Sequence, residues 1–153
     1  MRLYLVRHGD ALSAAEDPER PLSPRGRDDA RRMAEALGRA GVRVREIRHS
    51  GKARAARTAE ILAKHVGLAE PVAAPGLAPN APVEPLVDEI ETRTADLMIV
   101  GHLPFLALLA SRLLAGDTVV VLVEFESAAA SCLERDLRGV WSLVWLLPPS
   151  LVQ

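Results

Sequence analysis

The distribution of apolar residues along the first half of the chain predicts alternating strands and helices. The apolar run at 3–6 is typical of a short buried strand, and a second strand is predicted over 44–49. Apolar positions that recur every three or four residues predict helices over about 24–40 and 55–66. Ser23 is suited to cap the first of these helices, because its side chain can accept a hydrogen bond from a free backbone N–H.

The second half of the chain continues with a proline-rich loop, helices and further strands. The run at 97–100 is apolar throughout, as expected of a central parallel strand that is covered on both faces. In chain order, the other predicted elements are a loop over 71–82, a short helix over 83–90, an apolar helix over 104–116, and strands around 119–123, 129–133 and 140–147. Trp141 and Trp145 are expected to share one face of the last strand.

This order of elements predicts an α/β fold. We expect a single-domain sandwich over residues 1–153, with a mostly parallel central sheet, an antiparallel edge and helices on both faces. The formal net charge of −1 lacks the basic excess of a non-specific nucleic-acid binder. No apolar run is long enough to span a membrane, and a single cysteine, Cys132, excludes a disulfide framework. We therefore expect a soluble, cytoplasmic protein that binds neither nucleic acid nor membranes. The sequence leaves its oligomeric state open and is compatible with a monomer.

Polar clusters directly follow three of the predicted strands. They occupy residues 7–10 (Arg-His-Gly-Asp), 50–54 (Ser-Gly-Lys-Ala-Arg) and 101–102 (Gly-His). If the three strands are parallel neighbours, the clusters meet at the carboxyl edge of the sheet, where open α/β folds bind their ligands.

The residue types in these clusters point to phosphoryl chemistry. Arginine presents a planar fork of donors that suits a phosphate group and can stabilise the charge of a transferring phosphoryl group. A neutral imidazole can attack phosphorus and form a covalent phosphohistidine, which divides one difficult displacement into two easier ones. This mechanism requires no metal and no other cofactor, and the sequence shows no paired carboxylates arranged to hold a metal ion.

The same residues resemble the motifs of a known family. Arg7-His8-Gly9 at the end of the first strand resembles the signature of the histidine phosphatase superfamily, the phosphoglycerate-mutase-like enzymes. The resemblance extends over the first 110 residues, through segments at 20–26, 50–58 and 101–104. The short chain and the last motif are most similar to the SixA-type phosphohistidine phosphatases, whereas the final 40 residues match only in their strand pattern.

The resemblance implies a role for each matching residue. His8 corresponds to the nucleophile, Arg7 and Arg54 to the clamp on the phosphoryl oxygens, and His102 to a donor to the phosphoryl group. The further substrate-binding positions implied in this way are Arg20, Gly9 and Ser50. Gly51 departs from the pattern, because many relatives have a proline there. Arg57 lies one helical turn beyond Arg54 and competes with it for the clamp role; we interpret it as a surface residue.

A second departure concerns the leaving group. Larger members of the family carry a general acid that protonates an alcohol leaving group, usually between the second and third motifs. That segment offers here only the carboxylates of a short helix, namely Glu84, Asp88, Glu89 and Glu91. Imidazole is a better leaving group than an alkoxide, and little chain remains to cover the site. The resemblance therefore implies a phosphohistidine phosphatase acting on a protein. The alternatives are a phosphatase of small phosphomonoesters and a non-catalytic phosphate-binding module.

The remaining candidate residues have simpler structural interpretations. Asp10 is expected to fix the first loop by hydrogen bonds. His49 and His65 are interpreted as strand-end or surface residues without a chemical role, and Cys132 as a small buried residue of a strand.

Overall fold

Six strands and four helices follow one another along residues 1–153, all of which the computed structural model describes. The strands are β1 (Arg2–Arg7), β2 (Ile47–His49), β3 (Val72–Ala73), β4 (Leu97–Gly101), β5 (Ala130–Arg135) and β6 (Trp141–Leu147). The helices are α1 (Pro24–Arg39), α2 (Ala53–Val66), α3 (Glu84–Thr92) and α4 (Phe105–Ala115). A 3-10 turn at Pro149–Leu151 lies near the C-terminus.

The strands form one mixed sheet in the order β3-β2-β4-β1-β5-β6. The first four in this order are parallel, and β5 and β6 add an antiparallel edge. The predicted α/β sandwich is confirmed. Because β1 and β4 are neighbouring parallel strands, with Arg7 paired to Gly101, the chain leaves both at the same edge of the sheet.

The sheet separates two hydrophobic cores, because successive side chains of a strand point to opposite faces. On β1, Leu3 and Leu5 pack with α3 and α4, whereas Tyr4 and Val6 pack with α1 and α2. All five residues of β4 are buried, which explains why its sequence is apolar without alternation. The helices thus cover both faces, as predicted.

The helix ends follow the local sequence signals. The Ser23 hydroxyl accepts a hydrogen bond from the Gly26 N–H at 3.0 Å, so Ser23 caps α1 as expected. Gly116 ends α4 in the left-handed conformation that glycine adopts without steric cost. None of the helices combines the length and the apolar character needed to cross a bilayer.

The strand predicted around 119–123 was wrong. Residues 117–122 lie along α4 outside the sheet, and the Leu122 N–H donates to the Ser111 hydroxyl rather than to a strand. Val119 is 86% exposed. A run of β-branched residues has strand propensity, but a strand also needs a neighbour with which to exchange backbone hydrogen bonds, and this segment has none.

Two other boundaries differ from the prediction. The second strand is shorter than 44–49, because only Ile47–His49 pairs in the sheet, while Val44 forms an isolated bridge with Gly67. The predicted loop over 71–82 contains the two-residue strand β3, which extends the sheet beyond β2.

The two tryptophans of β6 lie on opposite faces, contrary to the prediction. Trp145 pairs with Cys132, but the next residue of β5, Leu133, pairs with Leu143, so Val144 is an extra residue in a β-bulge. The bulge shifts the alternation by one residue. Trp141 is therefore buried in the core of α3 and α4, and Trp145 packs against the other core.

Candidate active site

The carboxyl edge of the parallel strands brings the three polar clusters together. His8 follows β1, Ser50 follows β2 and His102 follows β4. The His8 N–H donates to the Gly101 carbonyl at 3.0 Å, so the sheet pairing continues into the loops that carry the polar clusters. The convergence that the sequence predicted is therefore observed.

The backbone around His8 assigns the proton on its ring. His8 Nδ1 lies 2.7 Å from the Gly9 carbonyl oxygen. A carbonyl can only accept a hydrogen bond, so Nδ1 carries the proton and the lone pair is on Nε2. This is the tautomer that a nucleophilic Nε2 requires.

The second histidine faces the first. The ring centroids of His8 and His102 are 5.0 Å apart, and His102 is only 2% exposed. His102 Nε2 lies 2.6 Å from the Ser50 hydroxyl, which also accepts the Lys52 N–H at 3.3 Å. Ser50 thus contacts the His102 ring and orients it, a contact that the resemblance did not specify.

Two arginines complete what we call the phosphoryl pocket, formed by His8, His102, Arg7 and Arg54. One terminal nitrogen of Arg7 donates to the Phe125 carbonyl at 2.7 Å, and Arg54 makes no side-chain hydrogen bond within the protein. The Nε atoms of both arginines and Nδ1 of His102 are buried without a partner. Arg32 and Arg93 also have an unpartnered Nε, but both are ion-paired with carboxylates, whereas Arg7 and Arg54 are not. Because buried donors without an acceptor cost free energy, this unpaired set fits an anion that supplies acceptors.

A cavity of about 380 Å³ adjoins Arg54. We call it the rim cavity; its lining includes Glu19, Arg20, Gly51, Lys52 and Arg54. Arg20 has a positive φ of 48°, and its Nε donates to the Leu12 carbonyl at 3.2 Å. A non-glycine residue in this conformation is strained, which is common at functional sites. Arg20 thus lies at the mouth of the site.

Close backbone contacts fix the loop after β1. A Cβ atom on Gly9 would lie 2.6 Å from the Gly26 carbonyl oxygen, and one on Gly26 would lie 1.9 Å from the Asp10 backbone carbonyl oxygen. Only glycine allows α1 to approach the loop so closely. The Ser23 hydroxyl donates to the Asp10 carboxylate at 2.6 Å, so Asp10 ties the loop to α1.

Thr58 links the loop to the second motif. Its hydroxyl accepts the Gly9 N–H at 3.1 Å and donates to the Arg54 carbonyl at 2.8 Å. Arg57, by contrast, is half exposed and ion-paired with Glu60 at 2.8 Å, so it lies outside the phosphoryl pocket.

The electrostatic environment keeps both imidazoles neutral. Burial, together with the positive charges of Arg54, Arg7 and Arg20, lowers the pKa of His8 from 6.5 to about 4. Burial, the neighbouring His8 and the charges of Arg54, Lys52 and Arg20 lower the pKa of His102 to about 3. Burial and the nearby Arg20 also lower the pKa of Arg54. The site is thus electropositive, and His8 is unprotonated at neutral pH.

The carboxylates of α3 are engaged elsewhere or exposed. Glu84 is bonded to Arg112 at 2.9 Å, Glu89 binds Arg48 at 2.7 Å, and Asp88 is exposed. The Glu91 carboxylate accepts from the Trp141 indole at 3.2 Å. The carboxylate that does line the rim cavity is Glu19, which the sequence analysis did not consider.

The structure also adds contributors that the sequence analysis missed. Lys52 belongs to the polar cluster at 50–54, and Glu19 precedes Arg20, so both lie next to predicted residues. The Phe125 contribution has no sequence signal, because a backbone carbonyl is common to every residue.

Comparison with known proteins agrees with this geometry. The profile of the histidine phosphatase superfamily (branch 1) matches residues 3–78, which contain Arg7, His8 and Arg54. The chain belongs to the histidine phosphatase superfamily. The phosphoryl pocket of arginines and neutral imidazoles is consistent with the phosphatase activity for which this superfamily is named.

Two curated relatives match this superfamily member over nearly its whole length. It is 29% identical to the phosphohistidine phosphatase SixA of Escherichia coli (strain K12), over 97% of this chain and 94% of the relative. It is 34% identical to an uncharacterised protein of Picosynechococcus sp., over 97% of this chain and all of the relative. The similarity therefore includes the last 40 residues, beyond the motifs visible in the sequence.

Solved structures show the same fold. A protein histidine phosphatase SixA complexed with tungstate superposes with a TM-score of 0.86 at 29% identity, over 98% of both chains. A phosphoserine phosphatase of Entamoeba histolytica superposes with a TM-score of 0.74 at 14% identity, over 97% of both chains. The second comparison shows the fold alone, so the fold by itself does not decide the substrate.

Proposed function

We propose that this phosphatase hydrolyses phosphohistidine on a protein, through a covalent phospho-His8 intermediate and without a metal ion. The observation that carries the proposal is the pairing of a neutral His8, whose free lone pair is on Nε2, with two arginines that have no carboxylate partner. A site built only for binding needs the arginines but has no use for a poised nucleophile.

In the first step, the lone pair on Nε2 of His8 attacks phosphorus. The bond between phosphorus and the substrate imidazole breaks, and its electron pair stays on the leaving nitrogen, which takes a proton from water. Arg7 and Arg54 hold the equatorial oxygens, and His102 donates to the phosphoryl group. The Gly9 carbonyl stabilises the positive charge that His8 gains, because it accepts the Nδ1–H.

In the second step, water attacks phosphorus of phospho-His8. The bond between phosphorus and Nε2 breaks, and its electron pair returns to Nε2. The attacking water loses a proton to solvent, which replaces the proton taken up by the leaving imidazole in the first step, and inorganic phosphate leaves. In this scheme Ser50 holds the His102 ring in place, and Arg20 at the cavity mouth assists the binding of the substrate.

The choice of phosphohistidine over an ester rests on the leaving group. General acid catalysis contributes a factor on the order of 10² or more to the departure of a poor leaving group. Glu84 and Glu89 are ion-paired with arginines, so neither is free to protonate an alkoxide. Two similarities support the same choice: the Escherichia coli relative is a phosphohistidine phosphatase, and a SixA structure was obtained with tungstate, a tetrahedral oxyanion.

The deciding experiment measures phosphate release from a phosphohistidine-bearing protein and from phosphoserine, an alkyl ester with a poor leaving group, side by side and with a chelator present. We expect kcat/KM for phosphohistidine to exceed that for the ester by a factor on the order of 10², the contribution of the missing general acid. Equal or faster ester hydrolysis would favour a small-molecule phosphomonoesterase. Turnover of neither substrate, with phosphate still bound, would favour the non-catalytic binding module.

Glu19 provides an internal test of the leaving-group argument. If Glu19 protonated an alcohol leaving group, Glu19→Gln would slow ester hydrolysis and leave phosphohistidine hydrolysis unaffected. We expect no such split, because Glu19 is exposed at the rim cavity rather than enclosed beside His8.

A further inference from the structure

The rim cavity carries more positive charge than a phosphoryl group neutralises. Arg20, Lys52 and Arg54 line it together with one carboxylate, Glu19. In the proposed reaction, Arg7 and Arg54 balance the two negative charges of the phosphoryl dianion. Arg20 and Lys52 then face Glu19 alone, which leaves one net positive charge next to the leaving group.

Neither of these two cations is satisfied inside the protein. The only side-chain hydrogen bond of Arg20 goes from Nε to the Leu12 carbonyl, so its terminal nitrogens are free. The Lys52 side chain makes no capping bond to α2 and has no ion-pair partner. Most other arginines of this chain are bonded to carboxylates, including Arg48 and Arg93. The rim cavity therefore gathers unpaired cations in a protein that pairs most of its arginines with carboxylates.

The turn before α2 brings Lys52 to this position. Gly51 has a φ of 88°, a left-handed conformation that proline cannot adopt. Lys52 follows at the start of α2, and its backbone N–H is held by the Ser50 hydroxyl. Its charge lowers the pKa of His102, in agreement with a location close to the phosphoryl pocket. A chain with proline in place of Gly51 would enter α2 through a different turn.

We propose that Lys52 and Arg20 form a second anion-binding subsite, which binds a carboxylate of the substrate beside its phosphoryl group. The inference rests on the proposed function, in which the carboxylate belongs to an Asp or Glu side chain next to the phosphohistidine of the partner protein. The same chemistry would also arise from a small phosphomonoester that carries its own carboxylate, and the experiments below separate the two sources.

The subsite is tested first by binding, without turnover. Calorimetry compares phosphonoacetate, which carries a phosphonate and a carboxylate, with methylphosphonate, which carries the phosphonate alone. We expect wild type to prefer phosphonoacetate by about fivefold, the value of one partly exposed ion pair. Lys52→Ala should abolish the preference, Lys52→Glu should reverse it, and Lys52→Arg should retain it. Equal affinities in wild type would overturn the subsite, whatever the enzyme hydrolyses.

Lys64→Ala is the matched control for these variants. Lys64 is the only other lysine, lies exposed on the same helix, and is separated from Lys52 by about three helical turns. Its substitution should retain the preference for phosphonoacetate. An equal loss of this preference in both lysine variants would show that it arises from general surface charge, and would overturn the proposal.

The source of the carboxylate is tested with two phosphohistidine peptides, which carry either Glu or Gln on both sides of the phosphohistidine. We expect the Glu peptide to have the lower KM by about fivefold, and Lys52→Ala to bring the ratio close to one. Equal KM values, with the binding preference intact, would overturn the protein source and assign the carboxylate to a small molecule. Turnover of neither peptide would contradict the proposed function, while the binding comparison would still decide on the subsite.

Discussion

Two groups of arginines in this protein differ in what surrounds them. At the carboxyl edge of the sheet, Arg54 has no carboxylate partner, and burial together with Arg20 lowers its pKa. On β2, Arg48 forms two hydrogen bonds with Glu89, at 2.7 and 3.0 Å, and these bonds raise the pKa of Arg48. The same residue type is thus paired with a carboxylate in one place and left unpaired in the other.

The difference separates a structural role from a binding role. Arg48 belongs to an ion-pair network with Glu46, Glu89 and Arg93, which ties β2 to α3 and the loop after it. Each charge of this network has an opposite charge within it, although Nε of Arg93 makes no hydrogen bond, so no cation is left unpaired for a ligand. Arg54 is satisfied only when an anion arrives, so the protein gives up some stability in the free state in exchange for affinity.

The largest expected effect comes from removing His8, the proposed nucleophile between the unpaired arginines. His8→Ala should reduce kcat by a factor on the order of 10³ or more, because the covalent path is lost. Phosphate should still bind, since Arg7 and Arg54 remain. Phosphate release and calorimetry measure the two properties. His65→Ala, at an exposed histidine of α2, is the control. Activity near that of wild type in His8→Ala would contradict the assignment of His8.

The next effect distinguishes two arginines of one helix. Arg54→Ala should lower kcat/KM by a factor on the order of 10², because a charge on the phosphoryl oxygens is lost. Arg57→Ala should change it by less than about twofold, because this residue pairs with Glu60 at the surface. Steady-state kinetics of both variants provide the measurement. The reverse order would mean that Arg57, not Arg54, clamps the phosphoryl group.

The third prediction measures stability instead of activity, and here the larger effect is expected from the ion-paired arginine. Arg48→Ala should lower the free energy of unfolding by about 1–2 kcal/mol, because Glu46 and Glu89 lose a common partner. Arg54→Ala should not lower it, since no ion pair is broken and a repulsion is relieved. Urea denaturation of both variants tests the contrast. A stability loss in Arg54→Ala equal to that in Arg48→Ala would remove the distinction between the two groups.

The smallest expected effect is a pH dependence of stability. Folding lowers the pKa of His8 from 6.5 to about 4, so below pH 6.5 the unfolded chain takes up a proton that the folded chain does not. The folded state therefore loses stability as the pH falls from 6.5 towards 4.

Urea denaturation in phosphate-free buffer at pH 6.5 and pH 5 measures this term. We expect His8 to contribute about 1 kcal/mol of loss between these two values, which His8→Asn should remove. The carboxylates of the ion-pair network are present in both proteins, so their contribution cancels in the comparison. An identical pH slope in wild type and His8→Asn would show that His8 is not held neutral by the fold.

Most of the fold was predictable because it depends on local patterns. The apolar run at 97–100 predicts a central strand, and the helical period over 24–40 predicts a helix. Both elements are observed. The segment at 119–123 has an equally strong local pattern but no neighbouring strand, so it does not pair. Pairing is a property of two segments, and the sequence of one of them cannot decide it.

The bulge in β6 is a second case in which strand pairing, rather than the local pattern, decides where residues lie. Alternation along a single strand predicted that Trp141 and Trp145 share a face. The register between Cys132 and Leu133 inserts Val144 as an extra residue and moves the two tryptophans to opposite cores. Which residue is extra depends on what both faces of the sheet must bury.

The candidate site divides in a similar way. The polar clusters after the predicted strands, together with the family resemblance, indicated His8, Arg7, Arg54 and His102. The sequence could not indicate that the Phe125 carbonyl holds Arg7, nor that Glu19 and Lys52 line the rim cavity. These contacts join segments that are distant along the chain.

The sequence by itself therefore determined the chemistry that is available, and most of the order in which strands and helices follow one another. Side-chain type and local periodicity are properties of short segments, and they are written in the chain. The tertiary structure decided which arginines remain unpaired, which tautomer His8 adopts and where the carboxylates lie. Those outcomes depend on distances of a few ångströms between remote residues, and electrostatic and hydrogen-bond free energies change steeply over such distances.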